Sequence, residues 1–297
     1  MTRTSTFARR LLAGALVSFG LSAAAPALAA EPLQLDVYNP GHEAIFPVTS
    51  VLVSGKHDAI LIDAQFGRAQ AEKVVEMIRA SGKQLTAVYI SHGDPDFYFG
   101  LEAIKAAYPD VKVLATKTTI EHIEHTRAKK LAFWGPKLGK DAPATTIVPQ
   151  ELQGDTLKLE GQTLQVRDLK GPQPDRSYVW IPSIKAVVGG VVNFNGLHVW
   201  MADTQSDKSQ LDWLKTLDGI AALKPKTVIP GHYAAGTAHD LSAVTFTRDY
   251  IKAFRAAAAR AQNSAELIAA LKAQYPQAGE ESSLELSAKV AKGEMKW

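Results

Sequence analysis

The densest group of side chains that could do chemistry lies between Ser91 and Gly100. His92, Asp94 and Asp96 stand at alternate positions directly after a short apolar run. An imidazole and two carboxylates within five residues can converge on one cation, and zinc accepts both kinds of ligand. The carboxyl end of a buried strand is also a favoured place for a site in an α/β fold. Alternatively, Asp94 or Asp96 caps the helix that follows, since a carboxylate can accept N–H bonds at a helix start.

A second candidate loop follows a short apolar run at residues 228–229. The sequence Pro-Gly-His at residues 230–232 would place the His232 imidazole at the rim of a sheet, because glycine permits a tight turn there. Taken alone, a histidine in this position is structural more often than functional. The chain has no cysteine. Disulfides and thiolate nucleophiles are therefore excluded, and any zinc must be held by His, Asp, Glu or backbone oxygen.

Another cluster, Glu-His-Ile-Glu-His at residues 121–125, has a metal-binding appearance. It matches neither His-Glu-x-x-His nor His-x-x-Glu-His, so we expect His122 and His125 to lie on a solvated helix face. The sequence contains no Gly-x-Ser-x-Gly elbow and no phosphate-binding glycine loop. The loops around residues 92–96 and 232 therefore remain the main candidates for a site.

The elements that would position these loops alternate between strands and helices. Apolar and β-branched runs predict strands at residues 33–38, 44–54, 59–63, 85–90, 111–115, 156–159, 164–169, 177–181, 186–192 and 228–229. Helical periodicity predicts helices at residues 69–80, 101–108, 118–131, 211–223, 245–261 and 265–274, with a surface loop at 133–144. Two β-rich halves that each close with helices predict a sandwich of sheets covered by helices. No linker separates the halves, so we predict one domain over residues 30–297.

The first 29 residues have the features of a secretory signal peptide. Arg3, Arg9 and Arg10 precede an apolar stretch, and Ala27-Leu28-Ala29 forms a small-x-small cleavage site. The protein is therefore expected to be periplasmic or secreted. This segment carries three arginines and no acidic residue, so its removal takes the formal net charge from +3 to zero. A neutral mature chain gives no electrostatic reason to expect a nucleic-acid partner, and no later stretch is apolar enough to form an integral membrane segment.

These motifs together resemble the metallo-β-lactamase superfamily. The resemblance covers residues 61–64, which look like a strand ending in Asp63, and residues 88–100, which are similar to the motif His-x-His-x-Asp-His followed by Gly. It continues through the strand pair around Pro182 and Gly189 and ends at residues 228–232. The resemblance implies an α/β fold, the metallo-β-lactamase αββα sandwich, in which two mixed β-sheets pack face to face with helices outside.

The resemblance assigns metal ligands to this sequence position by position. His92 matches the first histidine of the motif, Asp96 its aspartate and His232 the last histidine. Asp94 stands where the motif has its second histidine and can still bind metal. Phe97 stands where a histidine follows the aspartate and cannot bind metal. The family's middle histidine falls near residue 172, which is proline, and its bridging aspartate falls at residue 190, which is glycine.

These departures leave each half of a two-metal site short of ligands. One zinc held by His92, Asp94 or Asp96, and His232 would still meet the requirement of a catalytic site for three protein ligands. Such an ion lowers the pKa of its bound water. His198, Asp203 and Asp175 are candidate substitute ligands or pocket residues, with a packed His198 at a pocket wall as the alternative. Asp63 would brace the metal loop through hydrogen bonds. Phe97, Tyr98 and Phe99 would fill space that a second metal and its ligands occupy.

The leading expectation is an exported, metal-dependent hydrolase-like protein with a small-molecule substrate. Hydroxide on one zinc ion would attack a small ester, lactone or amide, with Asp94 and Asp96 as the catalytic carboxylates. The alternative is a non-catalytic binding or accessory protein that has lost its metal site. A metal-free acid–base enzyme that uses Asp94, Asp96 and His232 is the third hypothesis.

Overall fold

The computed structural model describes residues 1–2 and 31–297. All but the first two residues of the predicted signal peptide, residues 1–29, lie outside the described residues. Residues 31–297 pack as one compact unit. Among the described residues, no helix combines the length and the apolar character needed to cross a bilayer.

The first sheet has six strands in the order of the chain. They are β1 (Gln34–Tyr38), β2 (Ser50–Ser54), β3 (Asp58–Ile62), β4 (Gln84–Ile90), β5 (Lys112–Ala115) and β6 (Gln150–Glu151). The first three strands pair antiparallel and the rest pair parallel, so this sheet is mixed. Both faces are covered. Val51 and Val53 pack on one side of β2, and Leu52 packs on the other.

The second sheet has five strands in the order β12-β10-β9-β8-β7. They are β7 (Thr156–Leu159), β8 (Gln162–Arg167), β9 (Tyr178–Ile181), β10 (Ala186–Val188) and β12 (Thr227–Val228). The β10 and β12 pair is parallel and the others are antiparallel. One hydrophobic cluster joins residues of both sheets, among them Val53, Ile60, Leu164 and Val179. The two mixed sheets therefore face each other, as predicted.

The helices lie against the outer faces and share a second, larger hydrophobic cluster. They are α1 (Arg68–Ser81), α2 (Pro95–Tyr98), α3 (Leu101–Ala107), α4 (Lys117–Leu138), α5 (Asp207–Ala222), α6 (Ser242–Arg260), α7 (Ser264–Gln274) and α8 (Glu281–Ala291). In α1, the buried residues Ala71, Val74, Val75 and Ile78 recur at helical spacing, and Gly82 ends the helix with a left-handed conformation. The predicted αββα sandwich is confirmed.

Three of the predicted boundaries that are wrong have an identifiable local reason. Helix α4 continues to Leu138, through residues predicted as a loop, because Trp134 packs against Phe46 and Phe66 in the core. The strand predicted at 186–192 ends at residue 188, since the next two residues are glycines with positive φ. The strand predicted at 44–54 begins only at Ser50, after a short 3₁₀ turn at residues 41–43.

Helix α8 and several short elements were not predicted from the sequence. Helix α8 lies in a segment for which the sequence predicts no helix or strand. A short parallel pair is formed by β11 (Phe194–Asn195) and β13 (His232–Tyr233), in which Phe194 is the register partner of His232. This pair fixes the backbone of His232 beside the loop that follows β10.

Candidate functional site

Asp63 braces the loop that carries the candidate ligands. Its Oδ1 accepts the backbone N–H of Ser91 at 2.8 Å, and its Oδ2 accepts the Ser91 hydroxyl at 2.7 Å. The Ser91 Oγ in turn accepts the N–H of Gly190 at 2.7 Å. Burial raises the pKa of Asp63 to about 7, although both Ser91 bonds act to lower it. The carboxylate therefore holds the end of β4 against the loop that follows β10, a contact of the kind the resemblance implies.

Both ring nitrogens of His92 face acceptors. Nδ1 lies 3.1 Å from the backbone oxygen of Asp175, and Nε2 lies 3.1 Å from Oδ2 of Asp94. A carbonyl and a carboxylate can only accept, so both nitrogens must carry hydrogen to satisfy the two contacts. Burial alone would lower the pKa of His92, but Asp94 outweighs it and the pKa is raised. The two contacts are satisfied together only by the imidazolium form of His92, which has no lone pair to offer a metal.

Lys130 of α4 supplies the cation that Asp94 needs. Its ammonium donates to Oδ1 of Asp94, while His92 takes the other oxygen. The side chains of Asp94 and Lys130 are only 15% and 17% exposed, so solvent screens this pair weakly. Burial acts to raise the pKa of Asp94, but Lys130 and His92 hold it well below its usual range. Both oxygens of this carboxylate are therefore already neutralised by protein groups.

His122 belongs to the same cluster, contrary to the sequence analysis. Its ring lies over that of His92, with centroids 6.1 Å apart, and its Nε2 is 3.7 Å from Oδ1 of Asp94. The close approach requires Gly93, because a Cβ there would lie 2.5 Å from the His122 ring. The prediction of a solvated face is wrong for His122 and right for the exposed His125.

Asp96 and His232 form a second, separate pair. The Asp96 Oδ2 lies 3.3 Å from the His232 Nε2, and both side chains are about nine-tenths buried. Phe97 contacts the imidazoles of both His92 and His232. Its ring centroid is 5.6 Å from that of His232 and 5.4 Å from that of His92, and both imidazoles meet it nearly at right angles. Phe194 stacks on the other side of His232 at 4.9 Å.

The side chains present do not fit the predicted zinc ion. The sequence predicts one metal ion held by His92, Asp94, Asp96 and His232, but the structure divides these residues into two His–Asp pairs, and the Phe97 ring contacts both imidazoles. Within residues 31–297, no group of three or more His, Asp or Glu side chains is arranged to hold a metal ion. The physical reason is that protein cations, His92 and Lys130, already satisfy the carboxylate that a metal would need.

The candidate substitute ligands have other partners. The His198 Nδ1 is 2.9 Å from the Tyr250 hydroxyl, and burial lowers the pKa of His198. His198 is therefore a packed, neutral histidine at the pocket wall. Asp175 contacts His92 through its backbone oxygen. Asp203 accepts N–H bonds from two indoles, those of Trp200 and Trp297. None of these three completes a metal site with His92 or His232 in the described part of the chain.

A pocket with a cavity volume of about 50 Å³ opens beside the Asp96–His232 pair. Its polar lining residues are Asp94, Asp96, Lys130, His198, Asp203, His232, Glu280 and Ser283. Its aromatic lining residues are Phe46, Phe66, Phe97, Trp134, Phe194, Trp200 and Trp297. A concave apolar wall with a few convergent polar groups is the usual form of a small-molecule site. The pocket reaches Asp96 and His232 together.

Sequence reasoning missed Lys130, Glu280 and most of the aromatic wall. Lys130 lies in a charged stretch of α4 that is typical of a solvated face, and Glu280 belongs to no motif. Burial raises the pKa of Glu280, while the nearby His232 and His42 act to lower it. Glu280 has a φ of 60°, unusual for a residue with a side chain, but this is visible only in the structure.

The model of the Metallo-beta-lactamase superfamily matches residues 45–232, which is more than half of the chain. This match spans every residue of the two His–Asp pairs. No curated protein matches the chain closely enough to count as a relative.

Several solved structures share the architecture. One is a DIM-1 metallo-beta-lactamase exposed to ceftazidime, 17% identical, with a TM-score of 0.52 over 75% of this chain and 98% of that one. Another is a metallo-beta-lactamase from Pontibacter korlensis, 21% identical, with a TM-score of 0.50 over 74% and 93%. VMB-1 at pH 5.5 is 17% identical, with a TM-score of 0.51 over 74% and 96%. At these identities the likeness concerns the fold alone.

Proposed function

The chain belongs to the metallo-beta-lactamase superfamily, and from that premise we propose that it hydrolyses a small ester, lactone or amide without a resident metal ion. One observation carries the proposal. The Asp96–His232 pair lines an aromatic pocket, whereas His92 and Asp94 are fully engaged with each other and with Lys130. The protein would thus remain a hydrolase, as its family suggests, but acid–base catalysis by side chains would replace catalysis by a zinc ion.

In the proposed reaction His232 is the general base. Its imidazole takes a proton from a water molecule while the water oxygen attacks the carbonyl carbon of the substrate. Asp96, 3.3 Å from Nε2, stabilises the imidazolium that forms. His232 then returns the proton to the leaving oxygen or nitrogen, so the proton balance closes. Glu280 lines the same pocket, and its raised pKa lets it keep a proton at higher pH than an exposed glutamate would.

The test is turnover of small aryl esters and lactones by protein purified without chelator, measured with and without EDTA. We expect activity that EDTA does not change. His232→Ala and Asp96→Asn should each lower kcat/KM by about 100-fold or more, the usual contribution of a general base. Asp110→Asn is the matched control, because Asp110 is exposed and does not line the pocket. Activity that EDTA abolishes and zinc restores would show that the reaction depends on metal.

The second candidate function is binding without turnover. It is favoured by Phe97 and Lys130, which fill the region of the metal site with groups that stabilise the fold and need no catalysis. Tight binding of small molecules by the pocket, with no hydrolysis of any ester, lactone or amide in the panel, would select this candidate over the hydrolase.

A further inference from the structure

The pocket has an aromatic wall built from contacts between rings. Trp134 meets Phe46 at 5.3 Å and Phe66 at 5.4 Å, both edge to face. Phe46 also meets Trp200 at 6.0 Å, and Trp200 meets Trp297 at 5.2 Å. Because these rings hold one another in place, they form a preorganised surface. The negative faces of aromatic rings attract a cation placed within about 6 Å of them.

One carboxylate is fixed at the edge of this wall. The Asp203 Oδ1 accepts the indole N–H of Trp297 at 2.7 Å, and its Oδ2 accepts that of Trp200. Both indoles line the pocket, and so does Asp203 itself. A negative charge is therefore held beside two indole rings that line the pocket, and both a carboxylate and an aromatic ring attract a cation.

The charges that line the pocket do not balance. Four carboxylates line it, those of Asp94, Asp96, Asp203 and Glu280, against a single ammonium. That ammonium, on Lys130, is already paired with Asp94. His198 is neutral because its burial lowers its pKa. Among the residues that line the pocket, Asp203 forms no salt bridge with a basic side chain, whereas Glu280 has a raised pKa and lies near His232.

We propose that the substrate of this pocket is a small organic cation. Its ammonium group rests against the wall formed by Trp134, Trp200 and Trp297, with Asp203 as the counter-charge. Its carbonyl group points toward the Asp96–His232 pair. The ligand class follows from the wall and the charges, whereas the position of the carbonyl rests on the proposed function.

Binding is tested with choline and with 3,3-dimethylbutan-1-ol, a neutral alcohol of the same shape, by titration calorimetry on the full mature chain. We expect choline to bind about tenfold more tightly, as a cation–π contact with a counter-charge predicts. Asp203→Asn should remove most of this preference at unchanged side-chain volume. Asp110→Asn, at an exposed carboxylate outside the pocket, should leave it intact. Equal affinity for the two alcohols, or an unchanged preference in Asp203→Asn, would overturn the proposal.

Hydrolysis separates this inference from the proposed function. The substrates are acetylcholine and its neutral counterpart 3,3-dimethylbutyl acetate. Preferential binding of choline with no cleavage of either ester supports the ligand class and contradicts the hydrolase. Equal cleavage of the two esters, together with equal binding of the two alcohols, supports the hydrolase and contradicts the ligand class. Because Asp203 is exposed, its substitution should not affect folding.

Discussion

At the scale of single residues, Lys130 is the side chain that most clearly distinguishes this site from a metal site. Its ammonium neutralises Asp94, and Asp94 in turn holds His92 as a cation. A buried charge that loses its partner is strongly destabilising, because little water is available to solvate it. The Asp94–Lys130 pair therefore contributes to the stability of the loop between β4 and α3 as well as to the charge of the site.

Substitution of Lys130 should expose this dependence. Lys130→Met leaves the Asp94 carboxylate without its ammonium, and we expect the free energy of unfolding to fall by about 3 kcal/mol. Adding Asp94→Asn to that variant removes the stranded charge and should recover most of the loss. Urea unfolding of the two single variants and the double variant measures the coupling. Strictly additive losses would show that the two side chains do not act as a pair.

The side chain at position 97 determines whether a metal ion can bind beside Asp96 and His232. Phe97→His would bring a third ligand beside Asp96 and His232, and three protein ligands suffice for zinc. We expect this variant to retain about one zinc per chain after dialysis, and the wild-type chain to retain far less. Elemental analysis gives the zinc content. Phe97→Leu is the control that removes the ring without adding a ligand. About one zinc ion per wild-type chain would contradict the conclusion that the side chains of the site do not fit zinc.

At the scale of elements, a glutamate in one turn clamps the turn of another hairpin. The Glu160 carboxylate, between β7 and β8, accepts backbone N–H bonds from Lys56, His57 and Asp58, between β2 and β3. Gly55 allows the approach, since a Cβ there would lie 2.6 Å from the carboxylate. The contact links the β2–β3 turn of one sheet to the β7–β8 turn of the other.

The clamp predicts a pH dependence of stability. Hydrogen bonds from Asp58, His57 and Lys56 lower the pKa of Glu160 from 4.5 to about 2. Because the folded-state pKa is depressed, the stabilisation is present above pH 4.5 and is lost as the pH falls toward about 2. Glu160→Gln should lower stability at neutral pH and flatten the stability curve over this window relative to wild type. Parallel curves from urea unfolding between pH 2 and 6 would contradict the prediction.

The start of α3 depends on a close backbone approach. A Cβ on Gly100 would lie 2.0 Å from the backbone oxygen of Ala64, after β3. Gly100→Ala should therefore cost about 1–3 kcal/mol of stability through overpacking. Gly219→Ala is the matched control, because Gly219 lies inside α5 with no atom within 4 Å of its added Cβ. Alanine there should be neutral or stabilise by up to about 1 kcal/mol. Equal losses at both positions would contradict the explanation by close approach.

At the scale of the whole molecule, the pocket collects side chains from distant parts of the chain. Phe46 lies between β1 and β2, Trp134 lies in the last part of α4, and Glu280 precedes α8. Phe194 and His232 come from the short β11–β13 pair. The sandwich supplies a rigid frame, and the segments around its rim supply the ligand surface, as is usual for α/β folds.

Export of the whole chain remains a prediction from residues 1–29. If the arginines, the apolar stretch and the site Ala27-Leu28-Ala29 act as a signal peptide, the mature protein begins at Ala30. N-terminal sequencing of protein from the periplasmic fraction or the medium checks this. Ala27→Arg with Ala29→Arg should block cleavage and leave the precursor mass. Full-length wild-type protein confined to the cytoplasm would contradict the prediction.

The sequence by itself determined the order and type of most helices and strands, and it was sufficient to identify the protein family. Apolar periodicity and turn residues act over a few positions, so the strand at 84–90 and the helix at 68–81 could be predicted to within two residues. The same local reading identified residues 92–96 and 232 as the centre of the site. It failed at α4 beyond residue 131, where packing of Trp134 overrides the turn preference of the Gly-Pro pair that follows it.

Only the tertiary structure decided what chemistry the site can do. The site could be arranged in two ways: one metal ion shared by four side chains, or two separate pairs, formed by His92, Asp94, Asp96 and His232. Which arrangement occurs depends on Phe97, on Lys130 and on the distances between the loops. Lys130 lies 36 positions from Asp94 and joins it because α4 packs across the loop. The protonation of a buried group is set by every charge and dipole around it, and those neighbours are adjacent in space without being adjacent in the chain.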